Sequence, residues 1–209
     1  RTDSNYTTLV SGGYGEVALL WTVVNDSLCP AATDTTLLEF FEQPMADAGQ
    51  DELSCENQID ISANPSVGNG FWSLADINDT SKVQIGNFDQ AQASVLRKGS
   101  SFGSFDVVWS EENGLCPSAH DTLQVSFYDT PEINISGDEV ICGLNSTLSA
   151  QLQVGAGQWS LTQSQGGVAI FSNPSDNNTS VAVSTEGTYQ YTFAADNQGY
   201  CPAEESITV

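Results

Sequence analysis

The reactive side chains to follow first are five cysteines. Leu28-Cys29-Pro30 recurs as Leu115-Cys116-Pro117 and as Tyr200-Cys201-Pro202, at steps of 87 and 85 residues. Cys55 and Cys142 form a second series, also 87 apart. One bridge per repeat is the expectation, with Cys55 joined to Cys116 and Cys142 to Cys201. These bridges would enclose 61 and 59 residues. In the chain-entropy model each is worth ~4 kcal/mol, and such bridges persist in oxidising compartments. Cys29 is then left unpaired by truncation, its partner expected from an upstream part of a longer chain. Zinc binding is a weak reading, because there is no Cys-x-x-Cys and the single histidine is His120.

Catalysis needs a convergent set, and none is legible. His120 stands beside Asp121 near the start of a predicted strand and has no counterpart in the other copies. No Gly-x-Ser-x-Gly elbow accompanies it, so it reads as an exposed strand-end residue. The pairs Gly12-Gly13 and Gly166-Gly167 lack the strand–loop–helix setting of phosphate binding. No catalytic residue is assigned, and the chain reads as non-enzymatic. Carboxylates offer one further chemistry. Glu42, Asp47, Asp51 and Glu52 gather at one repeat junction, and Asp129, Glu132, Asp138 and Glu139 at the next. Hard cations want several oxygen ligands, which makes Asp47, Asp51, Asp129 and Asp138 weak calcium candidates, without an EF-hand run. No other cofactor is expected. With 4 Lys+Arg against 27 Asp+Glu the formal charge is −23. That argues against nucleic acid and anionic membrane surfaces as partners. No apolar run is long enough to insert directly into a membrane as a helix.

The elements that must carry these residues repeat with the cysteines. Phe71-Trp72-Ser73 matches Gln158-Trp159-Ser160, Trp21 matches Trp109 with Phe193 in the last copy, and Pro44 matches Pro131. The agreement of several residue types on one spacing divides the chain into a partial copy at 1–44, a complete copy at 45–131 and a nearly full copy at 132–209. Alternation of period two predicts strands at Ile59–Ser62, Lys82–Ile85, Phe105–Trp109, Thr122–Phe127, Val181–Val183, Thr188–Phe193 and Ser206–Val209. Glu111-Glu112-Asn113-Gly114 and Asp196-Asn197-Gln198-Gly199 read as turns. The class is all-β, as tandem immunoglobulin-like sandwiches. Trp72 and Trp159 are expected as core filler, with a sugar-stacking platform as the sharper alternative. Short proline junctions should make neighbouring repeats stiff, as in a rod.

The pattern resembles the PKD-like or immunoglobulin-like tandem repeats of giant surface adhesins of gliding Bacteroidota. The residues that carry it are Asp138, Cys142, Gly157-Gln158-Trp159-Ser160, Gly187-Thr188-Tyr189-Gln190-Tyr191-Thr192-Phe193 and Asn197-Gln198-Gly199-Tyr200-Cys201. The middle copy matches through Asp51, Cys55, Gly70-Phe71-Trp72-Ser73 and Asn113-Gly114-Leu115-Cys116, and departs at Phe102-Gly103-Ser104-Phe105. The resemblance implies type IX secretion, extracellular display at the cell surface, and a stalk or filament serving adhesion or gliding motility. Its partners would be neighbouring repeats of the same polypeptide or filament, and surface glycans. The alternatives are a glycan- or partner-binding module, the accessory region of a secreted hydrolase, or a polymerising subunit. The Asp-Ser/Thr-apolar form of Bacteroidota O-glycosylation marks Ser27, Thr35 and Thr122 as acceptor candidates. Sequons such as Asn145-Ser146-Thr147 matter only on a eukaryotic secretory route.

Overall fold

The computed structural model describes residues 12–24 and 29–209, so Ser27 lies outside the described residues. Strands β1 (Gly15–Val23) and β2 (Ala32–Phe40) pair as an antiparallel hairpin. A first sandwich follows from β3 (Glu52–Ser54), β4 (Gln58–Ser62), β5 (Asn69–Leu74), β6 (Val83–Gly86), β7 (Gln92–Arg97), β8 (Gly103–Glu112) and β9 (Ala119–Phe127). Its sheets are ordered β3-β9-β8-β5 and β4-β7-β6. A second sandwich is built from β10 (Ile133–Gly137), β11 (Asn145–Leu152), β12 (Ala156–Ser164), β13 (Ala169–Phe171), β14 (Asn178–Val183), β15 (Tyr189–Asn197) and β16 (Tyr200–Thr208). Its sheets are ordered β10-β11-β14-β13 and β12-β15-β16. Seven strands in this order make an immunoglobulin-like sandwich. The first strand is placed differently in the two. β3 runs parallel to β9, whereas β10 pairs antiparallel with β11. A short 3-10 helix, Ile77–Ser81, is capped by the Asp76 side chain, which accepts from Asn78 N.

Alternation places one side of each strand in a core. Ile59 and Ile61 of β4, Val107 and Trp109 of β8, and Leu123, Val125 and Phe127 of β9 are buried in the first sandwich. Leu148, Trp159, Val181, Tyr189, Tyr191 and Phe193 fill the second. The last hairpin keeps one register throughout. Val17 faces Leu38 and Trp21 faces Asp34; Phe105 faces Val125 and Trp109 faces Asp121; Phe193 faces Glu205. β1–β2 is therefore the same structural hairpin as β8–β9 and β15–β16. Both predicted turns are tighter than read from sequence, because β8 runs on through Glu112 and β15 through Asn197.

The Gly-x-Trp-Ser motif has a packing cause. Trp72 and Trp109 meet with ring centroids 5.1 Å apart, and Trp159 and Phe193 do so at the same 5.1 Å. Gly70 lies beneath that second ring: a Cβ there would stand 2.0 Å from Trp109 Cζ2. At Gly157 it would stand 2.5 Å from Phe193 Cε1. Both Trp72 and Trp159 are 2% exposed, and their indole N–H groups donate to the carbonyls of Ala91 and Asn177. These rings are core, with no face left for a sugar.

Candidate functional site: the junctions between sandwiches

The cysteines correct the expected pairing. Cys55 is bonded to Cys201, with Cα atoms 5.6 Å apart, and Cys116 and Cys142 are free thiols, as is Cys29. Neither Cys55–Cys116 nor Cys142–Cys201 forms, and the bridge lies between sandwiches, not within one. The reason is the length of β9. Cys116 stands just before its start, whereas β3 runs parallel to it with Ser54 opposite Phe127 at its end. Cys55 and Cys116 are thus at opposite poles, separated by a nine-residue strand or roughly 30 Å. A disulfide spans Cα atoms no more than ~7 Å apart.

Two contacts recur at both junctions: an asparagine side chain and a cysteine sulfur, each on a linker carbonyl. At the second, Tyr128 N donates to Ser54 O of the sandwich behind it. Asn197 Nδ2 donates to Asp129 O at 3.1 Å, Cys201 Sγ lies 3.8 Å from Tyr128 O, and Tyr200 packs on Tyr128 with centroids 4.6 Å apart. The turn is held by Gly199 N donating to Asp196 Oδ1. At the first, Asn113 Nδ2 donates to Glu42 O at 2.9 Å, the Cys116 thiol donates to Phe41 O at 3.7 Å, and Gln43 Nε2 donates to Pro117 O. Phe41 and Glu42 stand 87 residues before Tyr128 and Asp129. Gly114, at φ 57°, lies against the Phe41 ring, where a Cβ would come within 2.3 Å. Pro44 and Pro131 are both buried at their junctions.

The other candidates do not converge. Asp47 accepts from Gly49 N and from Asn64 Nδ2, and these bonds, the backbone one first, hold its carboxyl below the ordinary value. Asp51 accepts from Gln124 N; Asp129 offers its backbone carbonyl to Asn197; Asp138 is exposed on the next sandwich. The four calcium candidates do not come together, and among the described residues no group of three His, Cys, Asp or Glu is placed to hold a metal ion. His120 Nδ1 is 2.8 Å from Ser110 Oγ across the β8–β9 pair. Asp121 points to the opposite face and accepts from Ala48 N, so Ser110, His120 and Asp121 form no relay. Thr35 and Thr122 are both exposed strand residues. Among the described residues no helix is long and apolar enough to cross a membrane.

Glu111, read from sequence as part of a turn, is instead a buried anchor, 1% exposed. Its Oε1 accepts from Trp109 Nε1 at 2.9 Å and Ser66 N at 3.0 Å, and its Oε2 accepts from Ser66 Oγ. Burial pushes its carboxyl up, but the bonds from the Ser66 hydroxyl, Trp109, Ser66 N and Val67 N outweigh it and hold the carboxyl below its ordinary 4.5. The last copy changes both partners, with Phe193 for Trp109 and Ala195 for Glu111, but the first hairpin keeps the tryptophan, Trp21, with Val23 in place of the acid, so the repeat alone does not mark Glu111.

Beyond the second sandwich an open groove of about 630 Å³ is lined by Val140, Cys142, Leu144, Tyr189 and Val209, among others. It lies at the pole that, in the first sandwich, holds Cys55.

No protein-family model matches the chain, and no curated protein matches its sequence. Solved structures similar to it include murine CEACAM1b, with TM-score 0.45 and 13% identity over 80% of this chain and 98% of that one. The insect immune protein hemolin gives TM-score 0.45 and 12% identity over 91% of this chain and 54% of that one. Extracellular cadherin domains 3-6 of protocadherin gamma B2 give TM-score 0.38 and 10% identity over 79% and 46%. The chain spans about half the length of the hemolin and protocadherin chains. At these scores the fold assignment rests on strand order, with two immunoglobulin-like sandwiches and a third hairpin of the same register.

Proposed function

We propose that the chain is a load-bearing run of tandem repeats, divided at 44/45 and 131/132, in the stalk of a long extracellular adhesin or filament. The observation that carries this reading is the Cys55–Cys201 bridge across a junction with a buried proline and an asparagine side chain bonded to the linker carbonyl. A covalent tie between modules opposes bending and separation under tension, which a flexible string of binding domains does not need. The disulfide requires an oxidising compartment and so supports an extracellular location. A non-enzymatic role belongs to the same reading. Anchoring at the cell surface, type IX export, gliding motility and contacts with surface glycans belong to the same reading through the repeat resemblance. Immunogold labelling of unfixed native cells with antibody against this chain tests it. Label strung along thin surface fibres is expected. Label that appears only after permeabilisation overturns it.

A further inference from the structure

We propose that Cys116 and Cys142 are two halves of the same inter-repeat staple that Cys55 and Cys201 complete. Cys116 receives a Cys55-type cysteine from a copy seated ahead of residues 45–131. Cys142 reaches the Cys201-type cysteine of a copy seated beyond residues 132–209. The partner in both cases is another copy of this repeat. The inference rests on the tandem-array reading and adds to it the covalent connectivity.

The two junctions carry the argument. Cys116 sits in the socket that Cys201 occupies: each sulfur lies against the carbonyl of the linker aromatic, Phe41 at 3.7 Å and Tyr128 at 3.8 Å. In each an asparagine a few residues earlier clamps the next linker carbonyl. In one copy the socket is filled by Cys55, and in the other it is half-buried and open. Residues 1–44 contain only Cys29, which belongs to the Leu-Cys-Pro series and cannot supply a Cys55-type partner. At the other end Cys142 is exposed beside the open groove, and Val140 next to it is 89% exposed. An incoming hairpin tip like Asn197–Cys201 would cover both.

The bond spans a sequence separation of 146, more than the 87-residue period. Successive staples therefore overlap, and every peptide bond inside an array lies within at least one of them. Bridges within each copy would leave every junction outside. Forming each staple removes two electrons and two protons from a thiol pair. A disulfide oxidant accepts them, its own S–S bond opening to two thiols.

The test extends the full chain. Val209 is the register equivalent of Val125, since Tyr189 pairs with it as Phe105 does with Val125. Residues 1–209 are ligated to a second, 15N-labelled copy of residues 126–209, so that the peptides of the two copies differ in mass, and equilibrated in reduced and oxidised glutathione. Non-reducing peptide mapping should join the inner Cys142 to the appended Cys201, with Cys55 still joined to the inner Cys201. Cys142→Ser at the inner position should leave the appended Cys201 as a thiol that reacts with maleimide. A bond between Cys142 and Cys201 of one copy overturns the proposal. So does an inner Cys142 that stays a thiol while Cys55–Cys201 forms. Neither outcome depends on where the native protein is displayed, so failure here leaves the surface-labelling result to stand or fall alone.

Discussion

Glu111 shows how much a single residue can hide in a sequence. It precedes Glu-Asn-Gly, which reads as solvent-exposed turn, yet it accepts from Trp109 and Ser66 inside the first sandwich. Glu111→Ala removes the acceptor for several buried donors and should destabilise the first sandwich by about 3 kcal/mol, read by urea unfolding followed by tryptophan fluorescence. Trp109→Phe removes the matching donor. The double variant, which copies the Phe193 and Ala195 of the second sandwich, should lose less than the two single losses together, with a coupling of about 1–2 kcal/mol. Strict additivity would contradict the pairing. The pH dependence has a fixed sign. The folded carboxyl is held below its ordinary 4.5, so its contribution is complete above that value and is lost as pH falls through the folded one. Below pH 4.5 the wild type should lose stability faster than Glu111→Ala; parallel profiles would refute the assignment. The two core tryptophans were legible from their recurrence. The buried acid was not legible, because the first hairpin keeps the tryptophan, Trp21, with Val23 where Glu111 stands.

At the scale of elements, the period-two pattern located the strands because each has one buried side and one wet side, and the fold rewards that alternation directly. Ile59 and Ile61, or Val181 and Val183, needed no tertiary information. The glycine before each core tryptophan did. In sequence Gly70 and Gly157 are only parts of a motif; in the sandwich each makes room for an aromatic ring from the adjacent strand. A methyl group at Gly70 would overlap Trp109 at 2.0 Å, and the ring is held by its contact with Trp72 and its bond to Glu111. Gly70→Ala should therefore cost about 2–3 kcal/mol and lower the thermal midpoint. Trp109→Phe in that background should recover part of the loss, because a smaller ring leaves space, whereas an unchanged midpoint in Gly70→Ala would show that β5 and β8 shift apart freely. The 3-10 helix Ile77–Ser81 left no period to read, being one turn fixed by its Asp76 cap.

At the scale of the whole molecule, cysteine pairing was the least legible property, although the cysteine spacing was the clearest signal in the chain. Pairing within a copy leaves one cysteine over; pairing between copies leaves three, so counting favoured the wrong choice. The pole at which each cysteine emerges decides the matter, and that depends on strand direction. The consequence is mechanical. When the chain is pulled by its ends, the force passes from Cys55 through the bond to Cys201, and the chain between them, a sequence separation of 146, carries no load. Under oxidising conditions single-molecule stretching should release only the segments outside the bridge, β3 and most of β16 among them, and leave the strands inside it unextended. Reductant should then add about 500 Å of contour length, at ~3.3–3.6 Å per residue. Bridges within each copy would shield only the two enclosed spans and leave the junction in the load path, for an added length of about 400 Å on the same scale. That shorter value would reinstate the Cys55–Cys116 and Cys142–Cys201 pairing. The longer one would mean that tension along the chain is borne by sulfur at the junction, while the strands between Cys55 and Cys201 stay unextended at forces that would otherwise open them.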